Sequence, residues 1–344
     1  MAGHTYYHYQ GHIRGAFMGI TENREDATAS AIGRYSTDLF AAKTKELICR
    51  HQAENPDTPF FLYLAVNTIH GSGRCDDTLK EKSPLHVPGR PYPEKGVSWP
   101  LDEEPLEARN TYINPIYAQY EPNVARYSTA ITRLDDAIGD IVKCLEEQKI
   151  DRNTIIIFTS DNGPADEYGA DPAKLGSNGP FDGLKRDVFE GGMRVPAFAY
   201  WPEKIEAGLI DHEPSQFHDW MATISDITGA RKPELCDGVS LLPRWTDDKS
   251  HSPSLIYTSY EFPWGGTSET FKRFEARKAP VRGLQRLARI GDFTALQTAM
   301  RSEGSKIRLY NVREDPFQEN DLAGKEEYKA VYDELKKRLE ALAE

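Results

Sequence analysis

The chain has few cysteines. Its 344 residues include Cys49, Cys75, Cys144 and Cys236, and no two of them stand as C-x-x-C. Such scattering excludes a cysteine zinc site of the usual spacing and defines no disulfide framework, so the redox compartment stays open. No apolar run approaches the length of a membrane span. The opening residues, MAGHTYYHYQGHIRG, show neither an apolar h-region nor a cleavage signal, and so no export address. A basic stretch is missing too. With 42 Lys and Arg against 54 Asp and Glu, the formal charge is −12, and no Lys/Arg-rich segment offers a phosphate footprint for nucleic acid. An anionic ligand would need local cations or a metal to reverse this background field.

What is present suits a sizeable core: apolar residues make up 39%, with 17 Tyr, 14 Phe and 5 Trp. Short apolar runs bounded by turn residues predict strands at FFLYLAV (60–66), TIIIFTS (154–160) and PAFAYW (196–201). A helix is expected over 36–52. A longer one starts near Pro122 with a stripe of Val124, Tyr127, Ile131, Leu134, Ile138, Ile141 and Leu145. Residues 216–230 predict a third helix, closed by Gly229. Strands alternating with helices imply an α/β fold, a mostly parallel doubly wound sheet flanked by helices. Residues 71–120, rich in Pro and charge, are too long for a passive loop. Beyond about 250 the texture changes to short strands in SLIYTSY, GLQRLARIGDFTAL and IRLYNV. A final amphipathic helix follows with Tyr328, Val331, Leu335, Leu339 and Leu342 inward. The expected organisation is an α/β domain over 1–250 and a small antiparallel C-terminal subdomain over 251–344.

Three places could carry chemistry. In IIIFTSDNGP (155–164), Asp161 and Asn162 follow a strand, where open α/β sheets bind ligands. Their oxygens are the hard donors that calcium or magnesium takes, although an Asx-Gly pair also simply makes a turn. His70 ends FFLYLAVNTIH and so leaves a second strand; a structural, hydrogen-bonded histidine is the alternative. Lys185 lies in GPFDGLKRDVFEGGMRVP with Arg186 and Arg194. It could deliver a cation to an anion or face water as surface lysines do.

Taken in order, FFLYLAVNTIH, YSTAITRLDDAIGDIVKCLEEQ, TIIIFTSDNG, GLKRDVFEGGMRVPAFAYWP and LYNVREDPFQENDLA strongly resemble the sulfatases of the alkaline phosphatase superfamily. GRYSTDLFAAKTKELI (33–48) is similar to the family's helix before the His-bearing strand. The resemblance implies hydrolysis of sulfate esters, on an aryl sulfate or a sulfated glycan, with calcium or magnesium as the cation. Asp161 and Asn162 would be two metal ligands, Lys185 would bind a sulfate oxygen, and His70 would contact the sulfate or the bridging oxygen. Glu190-Gly191-Gly192 and Arg194 also match a family signature and are expected to be loop architecture. The resemblance further suggests an exported protein; it leaves the oligomeric state open.

One departure stands out. The family nucleophile is a formylglycine made from Cys or Ser in C/S-x-P-x-R. No Cys here has Pro two positions later, and the one Ser that does, Ser98, is followed by Asp102 where Arg is required. Nor do Asp76-Asp77, Asp135-Asp136 or Asp247-Asp248 end an apolar run, as the family's metal-binding Asp pair does. The expectation is a chain beginning beyond the nucleophile segment, inactive alone, whose sheet lacks its first strand and leaves apolar surface uncovered. The alternatives are a non-catalytic module that holds sulfated glycans through Lys185 and His70, or a phosphoester hydrolase of the same superfamily.

Overall fold

A computed structural model describes residues 12–13, 16–17, 20–31, 34–70, 89–101, 112–166, 171–246, 251–262, 283–300 and 305–341. Its contacts group into two units, Met1–Thr154 with Asp166–Leu175 and Ile155–Ala165 with Gly176–Glu344. Among the described residues no helix is long and apolar enough to cross a membrane. Cys75, Asp76, Asp77, Asp247, Asp248 and Leu342 lie outside the described residues, as does most of 71–120.

In the first unit the two expected helices form as α1 (Ser36–Glu54) and α2 (Pro122–Glu147). Proline suits the first turn of α2, where its missing N–H leaves no hydrogen bond unmade. The face that α2 buries most deeply is not the apolar stripe. Buried are Ala125, Thr129, Ala130, Arg133, Ala137, Asp140, Cys144 and Leu145, while Ile131 of the stripe is exposed. The reason is the partner: Ala41 and Ala42 of α1 meet Ala137 beside Val97, and small side chains let two helices approach closely.

The seam between these helices is a ladder with a constant offset. Arg133 donates from Nε to Asp38 Oδ1 at 2.9 Å and from Nη2 to Oδ2 at 2.5 Å. Ala42 and Ala137 share one apolar cluster. Lys45 donates to Asp140 at 2.6 Å, and Cys49 Sγ lies 3.7 Å from Cys144 Sγ. The bonded pairs are each 95 positions apart in sequence, so α1 and α2 run in the same direction in register. Steps of four and three residues are those of a heptad seam. Tyr92 and the Val97 amide also donate to Asp140, and the Arg133 guanidinium lies against the rings of Tyr35 and Tyr92.

The expected strand 60–66 joins no ladder among the described residues. A strand exists through its partner's backbone groups, and here Phe61 and Tyr63 are 76% and 83% exposed. Its end is nonetheless anchored, because the Thr68 hydroxyl meets that of Thr37 on α1 at 2.5 Å.

The second unit contains β1 (Ile156–Thr159) and β2 (Ala197–Tyr200), paired antiparallel with Phe158 opposite Phe198 and their rings stacked 5.1 Å apart. Helix α3 (His218–Thr228) closes at Gly229, whose φ of 68° is the left-handed cap expected there. The C-terminal part of this unit forms a four-stranded antiparallel sheet of β3 (Ile256–Phe262), β4 (Gly283–Ile290), β5 (Phe293–Met300) and β6 (Arg308–Asn311). The strand order is β6-β5-β4-β3. Every ladder among the described residues is antiparallel.

Alternation along these strands gives the sheet two apolar faces. Ala288, Ala295 and Leu309 pack on Leu335 and Leu339 of α4 (Lys329–Ala341), with Tyr328 and Val331 alongside, as the helix pattern predicts. Leu287, Leu296 and Tyr310 point the other way and pack on Val188 and Phe189. Full burial of each large side chain is worth about 1.5–3 kcal/mol, so burial of Val188 and Phe189 ties their segment to the sheet.

Two outcomes follow. In Asp38→Ala the Arg133 guanidinium, 3% exposed, is left buried without its carboxylate, which should destabilise the protein by about 3–5 kcal/mol in urea unfolding. An unchanged midpoint would show that the ladder is dispensable. In the second unit, burial opposes ionisation of Asp321, but Lys306 and the amides of Ala323 and Leu309 outweigh it and hold the carboxyl below its usual range. Stability from a lowered carboxyl is present above the unfolded value, near 4, and is lost as pH falls through the folded one. Asp321→Asn should therefore be less stable at neutral pH and lose less stability on acidification than the unmodified chain, as thermal melts between pH 7 and 2 would show.

Candidate active site

Strand β1 ends at Thr159, and the chain must then leave the sheet while keeping its polar backbone satisfied. It does so through Asp161, Asn162 and Gly163. Asp161 is exposed, Asn162 is half-buried, and the Asn162 Nδ2 donates to the Gly163 carbonyl at 2.8 Å. Gly163 is buried, and its N–H donates to Gly192 O at 3.0 Å. A Cβ at Gly163 would fall 2.2 Å from the Gly191 carbonyl oxygen, which is backbone and cannot swing aside. Glycine is required here for close approach of two backbones.

That approach brings the lysine loop to the end of β1. The Lys185 N–H donates to Pro164 O at 2.8 Å. Lys185 itself is half-buried between the fully buried Leu184, which packs on Phe317, and Arg186, whose φ of 77° is left-handed. The loop is tied internally as well. Asp187 Oδ2 accepts from the Leu184 N–H at 2.9 Å, and Asp182 O accepts from the Gly191 N–H at 2.7 Å. Thus Asp161, Asn162 and Lys185, 24 residues apart at their extremes in sequence, are set on two loops joined by two backbone hydrogen bonds.

The C-terminal sheet braces this pair of loops. Gln285 donates to Arg186 O at 2.9 Å. Glu190, buried, accepts from Arg194 at 2.6 Å, from Arg289 at 2.8 Å and from Thr294 at 3.1 Å, while its own N–H donates to Gln318 Oε1 at 2.9 Å. Glu190 and Arg194 are therefore structural, as expected: the carboxylate is fully engaged in orienting the turn Glu190–Met193. The positioning residues Gln285, Arg289, Thr294 and Gln318 escaped the sequence search. They stand about 100 residues or more from the loops they hold, and no spacing signals such contacts.

His70 belongs to the first unit. It is half-buried, and its N–H donates to Asn67 O at 2.9 Å, closing the turn whose Thr68 is anchored on α1. Each of the two loops after predicted strand runs thus has its own anchor.

Asp161 and Asn162 offer one carboxylate and one amide, chemistry that fits a hard cation. They supply two donor groups where calcium takes six to eight oxygens, and no group of three or more His, Cys, Asp or Glu among the described residues could hold a metal.

Known proteins resemble this chain over much of its length. The family model described as Sulfatase matches residues 3–230. The N-acetylgalactosamine-6-sulfatase of Sus scrofa is 43% identical over 223 residues, which is 64% of this chain and 34% of that protein. The steryl-sulfatase of Homo sapiens is 36% identical over 121 residues, 34% of this chain and 21% of that protein. This chain therefore spans about a third or less of the length of these relatives. Among solved structures, Ps i-CgsB in complex with k-i-k-neocarrahexaose aligns over 98% of this chain and 64% of that one, with a TM-score of 0.68 and 20% identity. A structure from a study of glycosaminoglycan metabolism in Bacteroides thetaiotaomicron aligns over 92% and 56%, with a TM-score of 0.57 and 21% identity. At these identities the structures show the α/β fold, while the family match rests on sequence over most of the chain. The chain belongs to the sulfatase family.

Proposed function

We propose that these residues form the sulfate-holding part of a sulfuric ester hydrolase acting on a sulfated glycan. The observation that carries the proposal is the pair of backbone bonds, Lys185 N–H to Pro164 O and Gly163 N–H to Gly192 O, which joins the loop that bears the Lys185 cation to the loop that bears Asp161 and Asn162. Against a net charge of −12, such a local cation is what an anionic ester requires. The similarity to an N-acetylgalactosamine-6-sulfatase supports a sulfated amino sugar as the substrate class.

In this proposal Lys185 binds a sulfate oxygen and Asp161 with Asn162 contributes two ligands to calcium or magnesium, while the contact of His70, in the first unit, with the sulfate or the bridging oxygen rests on the family resemblance alone. A bound divalent cation would stabilise the negative charge that develops as the ester bond breaks. Because the Asn162 Nδ2 is committed to Gly163 O, Oδ1 is the amide atom that would be offered to such a cation. The 344 residues contain no C/S-x-P-x-R, so they bind the ester without supplying the nucleophile. Export belongs to the same proposal and rests on the family resemblance.

Binding and turnover separate experimentally. In calcium-containing buffer the purified chain should bind sulfated N-acetylgalactosamine by calorimetry and release no product from an aryl sulfate. Removing a charge-assisted hydrogen bond in Lys185→Ala should weaken binding by roughly tenfold or more. Unaltered binding in that variant would remove Lys185 from the site, and calcium-dependent release of sulfate would refute the lack of a nucleophile.

A further inference from the structure

The last rung of the seam between α1 and α2 is a pair of thiols. Cys49 Sγ and Cys144 Sγ are 3.7 Å apart, and both cysteines are free. One turn earlier on each helix, Lys45 is bonded to Asp140, so the backbones that carry the thiols are already held in register. Cys49 is exposed and Cys144 is buried. The sulfate site uses neither.

We propose that Cys49 and Cys144 are a modification site, forming a reversible disulfide that staples α1 to α2. The sulfurs need to close from 3.7 Å to about 2.05 Å, along a seam that Lys45 and Asp140 already hold in register. The oxidant is a small dialkyl disulfide of the glutathione class. The exposed Cys49 thiolate attacks one of its sulfurs, breaking that S–S bond; the departing thiolate takes up the proton that Cys49 has released. Cys144 then gives up its proton and attacks the Cys49 sulfur, expelling the second small thiol. Two protein thiols are oxidised, one small disulfide is reduced to two thiols, and the two protons end on those thiols.

The order of attack follows from exposure. Burial pushes the Cys144 thiol up to about 12, and its hydrogen bond with Cys49 and the charge of Cys49 act in the same direction. Cys49 is therefore the entry point. Once it is capped as a mixed disulfide its charge is gone, and Cys144 ionises more readily.

The test is to incubate the full chain with oxidised glutathione, quench with acid, and measure intact mass, peptide linkage and melting temperature. The expected product is a monomer lighter by about two mass units, with a peptide linking Cys49 to Cys144. Its melting temperature should rise by several degrees, because the bond closes a long loop in the unfolded chain. Dithiothreitol should reverse both changes. Cys49→Ser, at an exposed position, should fold normally by circular dichroism and give neither change; Cys75→Ser and Cys236→Ser should still give both. A stable glutathione adduct on Cys49 with Cys144 free, a disulfide-linked dimer through Cys49, or an oxidised monomer that melts no higher than the reduced one would each overturn the proposal.

Discussion

The candidate site depends on the contact of one peptide backbone with another, where Gly163 lies against Gly191 and Gly192. A Cβ on Gly163 would meet the Gly191 carbonyl at 2.2 Å, and one on Gly192 would meet the Asp187 carbonyl at 2.3 Å. Only in the absence of these side chains can the loop after β1 and the loop before β2 share the hydrogen bonds that set Asp161, Asn162 and Lys185 together. Ligand-holding groups are useful when their supports are rigid. Here the support is main chain, which has no rotamers to lose.

A contact of that kind has to be held from outside, and the C-terminal sheet does this. One of its faces takes Val188 and Phe189 into an apolar cluster, and the polar residues Gln285, Arg289 and Thr294 of its two inner strands bind Arg186 and Glu190. The sheet is thus part of the candidate site's scaffold. In the other unit the same need is met by a different device, a seam of matched pairs between α1 and α2, with Thr37 of α1 anchoring the turn before His70.

Much of this was legible from patterns of nearest neighbours in sequence. The helices, the cap at Gly229, the alternating strands near the C-terminus and the inward face of α4 all follow from local periodicity and backbone preference. Periodicity misled in two places. The apolar stripe of α2 is not its deepest face, because the alanines of α1 accept a flatter, closer partner with Arg133 and Asp140 bonded in the seam. FFLYLAV reads as a strand from its side chains, yet a ladder also needs a second backbone, and the run finds none among the described residues.

The sequence by itself determined the family, most of the element types and the charged and amide groups proposed for the site, because each is written in short stretches of the chain. Only the tertiary structure decided which distant residues hold those groups still. Gln285, Arg289, Thr294 and Gln318 act on a loop about 100 residues or more away, and Cys49 faces Cys144 across the same 95-residue offset that pairs Asp38 with Arg133. Such contacts are set by how sheets and helices stack, and stacking leaves no period in the sequence.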